Sequence, residues 1–251
     1  MYDSTDIRRA SKTFLTNFAA LLADDVPRPF SLQPQFWLVP GVGLSLVCNL
    51  IWNGPADDTY KEWLQKVGEL APLMLGSKSM EETVTQMSPL AFSRIITDHL
   101  PNKVLGGSHS ATSASLTDDF IDEMVDCIDD LPRDGAGGLS LHIMRDSCPS
   151  LSSSQSIPES VCPFRNPGVH VEILGVADDE ERAEKAMAWA RRTRDRLMAL
   201  PGASKVAYFP LTAPEVYDAE EMYGEEKLRE LRRLKGKFDP EGVFRYAIPS
   251  V

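Results

Sequence analysis

Apolar and polar residues alternate with period two in two early runs, 30–39 and 44–52, and the alternation predicts a pair of strands. Leu44, Leu46, Cys48, Leu50 and Trp52 fall on one face, and Pro40-Gly41-Val42-Gly43 predicts the turn of a hairpin between the runs. The spacing then becomes helical. Tyr60, Trp63, Leu64, Val67 and Leu70 predict a helix over 57–71 that Pro72 ends, and Leu90, Ile95 and Ile96 predict another over 89–99. Thr117 is the expected N-cap of a third helix, whose stripe of Phe120, Ile121, Met124, Val125, Ile128 and Leu131 stops at Pro132.

Downstream, Leu139, Leu141 and Ile143 alternate with Ser140, His142 and Met144, which predicts a strand over 139–145. The serine- and proline-rich stretch 147–166 reads as a long surface loop. A strand over 169–176 leads through Asp178, the expected N-cap, and Glu181, its capping-box partner, into a long helix. Ala183, Ala186, Ala190, Thr193 and Leu197 mark its buried stripe, and Pro201-Gly202 closes it. A short strand over 205–209 follows, then a helix start at Thr212-Ala213-Pro214-Glu215, then a last helix with Leu228, Leu231, Leu234 and Phe238 facing inward. Strands joined through hairpins and strand-helix connections, each with one apolar face, predict the α+β class. The expected architecture is an antiparallel sheet with helices packed on one face, in a single domain over 1–251.

A hydrophobic content of 43% and a charged content of 25% fit an ordinary globular protein. The apolar runs are too short for a membrane span, and the acidic opening lacks the basic and apolar regions of a secretory leader, so a cytoplasmic protein is expected. The net charge of −11 repels phosphate backbones, which argues against nucleic acid as a partner. Arg191, Arg192, Arg194 and Arg196 read as a solvated helix face. Cys48, Cys127, Cys148 and Cys162 form no CxxC, so no structural zinc site is expected, and Cys148 and Cys162 read as free thiols, with a disulfide between them the alternative in an oxidising compartment.

Near the C-terminus come Tyr223-Gly224, a helical stretch through Lys237, and Phe238-Asp239-Pro240-Glu241-Gly242-Val243-Phe244-Arg245-Tyr246. This resembles the closing segment of the berberine bridge enzyme-like FAD-linked oxidases. Cys162-Pro163-Phe164-Arg165, the strand after it, the acidic turn Asp178-Asp179-Glu180 and Ala188-Trp189-Ala190 resemble an internal run of the same family, with Phe164 where the family has histidine. The resemblance covers 28–251. It implies the substrate-binding half of such an oxidase, a small, partly apolar secondary-metabolite substrate, and FAD as the cofactor of the family. It also sets His109 and Ser110 near a Lys-Ser pair, and Leu141-His142 near a strand whose polar groups face the flavin. Of a Tyr-x-Asn-Tyr run only Tyr208 survives, with Pro210 and Leu211 at the other two places, and the ending lacks the Asn and Gln expected beside a flavin. No segment reads as a diphosphate loop or a covalent attachment site. No cofactor is therefore expected in this chain, and redox activity would need a FAD domain supplied in trans or by a longer product.

Alternation puts His142 opposite the apolar face of its strand, and His170 and Glu172 opposite Val169, Val171 and Ile173 on theirs. If the strands pair, the three share one sheet face. A histidine suits proton transfer at neutral pH, and a neighbouring carboxylate sets its tautomer. His142, His170 and Glu172 are thus the catalytic candidates, and Tyr208, His109, Ser110 and Met144 the candidate substrate contacts. The bland alternative is the solvent face of a half-buried sheet. Two strands without an HExxH-type helix do not promise a metal site. His109 and Ser110 are adjacent in a strand and point to opposite faces, which excludes a Ser-His pair. Three readings stay open: the substrate half of an oxidase, a flavin-independent cyclase, isomerase or dehydratase using histidine acid-base chemistry, and a non-catalytic binding protein. A bare sheet face also predicts a homodimer or a heteromeric partner.

Overall fold

The computed structural model describes residues 1–39, 41–74, 80, 83–99, 104–135, 137–144, 168–204, 208 and 218–244, with only the backbone of 95–99. Its elements in chain order are α1 (Ile7–Leu22), β1 (Phe30–Val39), β2 (Gly43–Trp52), α2 (Asp58–Gly68), α3 (Pro89–His99), β3 (Leu105–Ser113), α4 (Asp118–Asp129), β4 (Gly138–Met144), β5 (Gly168–Ala177), α5 (Glu180–Met198), β6 (Ala203–Ser204) and α6 (Ala219–Phe238). The strands form one six-stranded sheet in the order β2-β1-β4-β5-β3-β6, antiparallel at every step. The α+β expectation holds.

The apolar face of each of four strands is buried as the sequence pattern requires, although burial itself alternates cleanly only along β1. Phe30, Leu32 and Phe36 of β1, Leu46 of β2, Leu139 and Leu141 of β4 and Val169, Val171 and Ile173 of β5 turn to one side. There they share a core with Phe14, Leu15 and Phe18 of α1, Phe120, Ile121, Met124 and Ile128 of α4 and Trp189 of α5. Removing such a side chain from water is worth about 1.5–3 kcal/mol, so this face sets the register of the whole sheet. Trp63 of α2 adds to the same side, its ring centroid 4.8 Å from that of Phe30. On the other face Ser110, Ser140 and His170 at the centre of the sheet are buried as well, with Tyr208 set against His170.

Several details differ from the sequence expectation. Helix α1 was not anticipated, although Ala10, Phe14, Leu15, Phe18 and Leu21 repeat with helical spacing and Asp6 caps Arg9 N at 3.0 Å. After Leu105, strand β3 is built from Gly, Ser, His, Ala and Thr, so it shows no apolar alternation to read. Helix α5 is capped by Asp179, one residue after the expected Asp178, with its carboxylate accepting from Arg182 N at 2.9 Å. Arg196 does not sit on a free solvated face: it pairs with Glu123 and, at 3.1 Å, with Asp130, tying α5 to α4. Phe238 is 73% exposed and not inward, because its helix buries only Met222 and Leu228 among its described residues. The last described strand is Ala203–Ser204. The rest of 205–209 apart from Tyr208, the helix start at 212–215, the loop 147–166 with Cys148 and Cys162, and the Cys162-Pro163-Phe164-Arg165 motif lie outside the described residues.

Candidate active site on the open face of the sheet

The face away from the helices is polar at its centre. Strand registers place His142 opposite His170, Ser140 opposite Glu172, His170 opposite Thr112, Glu172 opposite Ser110 and Gln33 opposite Asn49. Cross-strand partners lie within about 4.5–5.5 Å at Cβ, so these residues form a continuous patch across four central strands and β2.

A proline opens this patch. The amide of Leu46 donates to Ser4 Oγ at 2.9 Å and its carbonyl accepts from Tyr2 N at 3.1 Å, so both main-chain groups of Leu46 point to the outer edge of the sheet. Its partner Phe36 must then direct its own groups toward β4, and by alternation so must Pro34, which has no N–H to give. The β1–β4 ladder accordingly runs only from Gln35–Ser140 to Trp37–Gly138. Beyond it the side chains of Gln33 and His142 meet, Nε2 to Nε2 at 3.5 Å.

The chemistry centres on His142. Its Nε2 lies 3.1 Å from Glu172 Oε2, with side-chain exposures of 34% and 16%, so the pair is reachable from solvent yet partly desolvated. Because a carboxylate only accepts, the pairing puts the imidazole proton on Nε2 and leaves the lone pair on Nδ1. His170 lies beside it, ring centroids 6.0 Å apart, with Thr112 Oγ1 3.1 Å from His170 Nδ1. Burial, reinforced by repulsion from His142 and opposed by Glu172, pushes the His170 pKa down to about 4. His170 is therefore neutral at pH 7.

The depressed value has a consequence for stability. Unfolded chains take up a proton at this histidine near pH 6.5, whereas the folded protein resists until about 4, so the contribution is complete above 6.5 and is lost as pH falls toward 4. Between pH 7.5 and 4.5 wild type is expected to lose about 2–3 kcal/mol that His170→Gln does not lose. Urea unfolding of both proteins at the two pH values measures it, and parallel losses would contradict the assignment.

Of the residues chosen from the sequence, the structure brings His142, His170, Glu172 and Ser110 onto one face, with Met144 two positions beyond His142 on the same strand face. Tyr208 joins them, its ring 5.6 Å from His170 in an edge-on arrangement. His109 does not: it pairs with Ile173 and is 2% exposed on the helix-covered side. Gln33, Gln35, Asn49 and Thr112 were not singled out. The signal for the glutamines was present in the alternation of Phe30, Leu32 and Phe36 with Ser31, Gln33 and Gln35.

Among the described residues no group of three or more His, Cys, Asp or Glu converges as a metal site, and no helix is long and apolar enough to cross a membrane.

No protein-family model and no curated protein matches the chain. Solved structures do. The 6-hydroxy-D-nicotine oxidase of Arthrobacter nicotinovorans superposes with a TM-score of 0.73 at 14% identity, over 97% of this chain and 52% of that one. The glucooligosaccharide oxidase of Acremonium strictum, which carries a 6-S-cysteinyl, 8α-N1-histidyl FAD, gives 0.64 at 14% identity over 93% of this chain and 51% of its own. BBE-like 28 of Arabidopsis thaliana gives 0.57 at 14% identity over 95% and 52%. The chain spans about half the length of each, and likeness at this identity is likeness of fold. The helix-backed antiparallel sheet is thus the fold that berberine bridge enzyme-like FAD-linked oxidases carry over about half of their length, in agreement with the resemblance of the closing segment.

Proposed function

We propose that this chain is the substrate-binding half of a FAD-linked oxidoreductase acting on a small metabolite, with the polar sheet face as the wall that holds the substrate. The observation that carries the reading is the His142–Glu172 pair at the centre of that face. Glu172 fixes the ring so that Nδ1 of His142 can take the proton of a substrate hydroxyl or amine. Neutral His170 stands beside the pair without adding a second positive charge. FAD, where bound, would accept the hydride that leaves the carbon as this proton departs.

The described residues suit one wall of such a site and not the whole of the cofactor. A diphosphate is commonly held at an open helix N-terminus. Here α1, α2, α5 and α6 are each capped by an aspartate, and α4 by Thr117 followed by Asp118 and Asp119, so these N-termini are already filled by the chain's own oxygens or guarded by acid. The flavin would be carried by another segment or another chain. Incubated with FAD and passed through gel filtration, this chain is expected to emerge without stoichiometric flavin, and a stoichiometrically yellow protein would contradict the reading. A body facing the open sheet across the substrate, a second copy or a flavin-bearing partner, completes the assembly. A strictly monomeric mass in light scattering at high protein concentration counts against it.

A second reading is supported by the two imidazoles of unlike character 6.0 Å apart. They suit flavin-independent proton shuttling, as in a cyclase, isomerase or dehydratase, with His142 as base or acid. Product mass separates the two: loss of two hydrogens marks oxidation, whereas an unchanged mass or loss of water marks proton transfer alone.

A further inference from the structure

Helix α6 stands apart from the core. Of its 20 residues only Met222 and Leu228 are buried among those described, and neither belongs to the core that the sheet shares with α1, α4 and α5. Gly224, at φ 73° and ψ 160°, breaks the helix and leaves 225–238 as one segment about 21 Å long. Along that segment Lys227, Leu231, Leu234 and Phe238 recur at i, i+4, i+7 and i+11, so they share a side. Leu231 and Leu234 are half-buried, and Phe238 is 73% exposed.

The turn after the helix extends the patch. The Asp239 carboxylate pairs with Lys235 and accepts from Val243 N at 2.7 Å and from Phe244 N at 3.0 Å, while Lys235 Nζ donates to Phe244 O at 3.1 Å. The backbone of Val243 and Phe244 is thereby fixed beside the helix end, with each side chain 71% exposed. Apolar groups fixed in advance lose less freedom when a partner covers them. Phe238 and Phe244 bring on the order of 300–500 Å² of surface, and Leu231, Leu234 and Val243 take the patch toward the roughly 800 Å² per partner of a stable interface.

Charge selects the occupant. The row beside the apolar one is Glu226, Glu230, Arg233 and Lys237, two acids followed by two bases. A second copy of this segment laid antiparallel sets acids against bases, whereas a parallel copy sets like charge on like. The reversal also sets Leu231 against Leu234 of the second copy, and a two-fold axis closes the contact after two chains. Glu230 and Arg233 already bond within the chain at 2.7 and 2.6 Å, which leaves Glu226 and Lys237 to reach across.

We propose that α6 is a homodimer contact, pairing antiparallel with α6 of a second copy, with Leu231, Leu234 and Phe238 in the seam and Glu226 facing Lys237 across it. The contact uses no residue of the His142–Glu172 face, so it stands or falls separately from the substrate reading.

Sedimentation velocity of the full chain over a concentration series reads the association. Wild type is expected to pass from monomer to dimer, and Phe238→Ser to raise the dissociation constant about a hundredfold with an unchanged circular dichroism spectrum. Glu226→Lys and Lys237→Glu are each expected to weaken the dimer about tenfold, and the double variant to return within about threefold of wild type. A wild type that stays monomeric at high concentration, its patch then left for a different protein, overturns the proposal. So does a dimer that Phe238→Ser leaves intact, which moves the contact to another face. A double variant no tighter than the single ones rules out the antiparallel pairing, and the proposal with it.

Discussion

Replacing His142 by alanine is expected to lower turnover of the assembled enzyme by roughly 10²–10⁴-fold while changing the unfolding free energy by no more than about 0.5 kcal/mol. The two halves of this expectation come from the same geometry. The imidazole is 34% exposed and neighbours Glu172, Gln33 and the His170 ring, so little packing is lost with it. What is lost is the proton acceptor at the centre of the wall. Glu172→Gln keeps the shape of the pair but no longer holds the tautomer by charge, and it is expected to lower turnover less than His142→Ala does. Full activity in a well-folded His142→Ala protein removes this residue from the mechanism, and full activity in both variants leaves the face a plain polar sheet surface.

The second large effect belongs to the scaffold. Gly175 sits on the helix-facing side of β5, and a Cβ there would lie 2.5 Å from the Ala186 carbonyl oxygen and 2.7 Å from its carbon. Those are main-chain atoms of α5 and cannot rotate aside. Gly175→Ala is therefore expected to push α5 off the strand that carries both His170 and Glu172, costing about 3 kcal/mol and about 10 °C in melting temperature. Gly107, directly opposite on β3, is the control, since a Cβ there meets only the flexible Met187 side chain at 3.6 Å. A melting temperature for Gly175→Ala equal to that of Gly107→Ala would show that the α5–β5 contact does not limit stability.

How much of this was legible in the sequence depended on whether burial left a periodic trace. β1, β2, β4 and β5 each concentrate apolar residues on one side, and their bounds were readable to within a residue or so. The same alternation put His142, His170 and Glu172 on one face before any pairing was known, and the pairing then made them neighbours. β3 left no such trace, because close approach of α5 requires small residues there, so the side to which His109 turns followed only from its register with Ile173. The cluster of Gln33, Gln35, Asn49 and Ser140, joined by side-chain hydrogen bonds, was hidden for another reason. Gln33, Gln35 and Asn49 are ordinary surface residues in isolation, and only the registers of β1 with β2 and β4 bring them to Ser140. The inward Phe238 failed because helical spacing shows which residues share a side of a helix but not whether that side is covered.

The central claim is that substrate binds on the polar face of the sheet, at the partly exposed His142–Glu172 pair, and the histidines report on it directly. His142 and His170 lie on that face, whereas His109 lies on the helix-covered side. In a proton–carbon NMR titration of the imidazole Cε1–H signals with benzyl alcohol, a small, partly apolar alcohol, assigned by His→Gln variants, the account predicts that the His142 and His170 signals move together toward saturation and that His109 stays fixed. A stationary His142 at saturating ligand, or a His109 signal that moves as far as the other two, would contradict it.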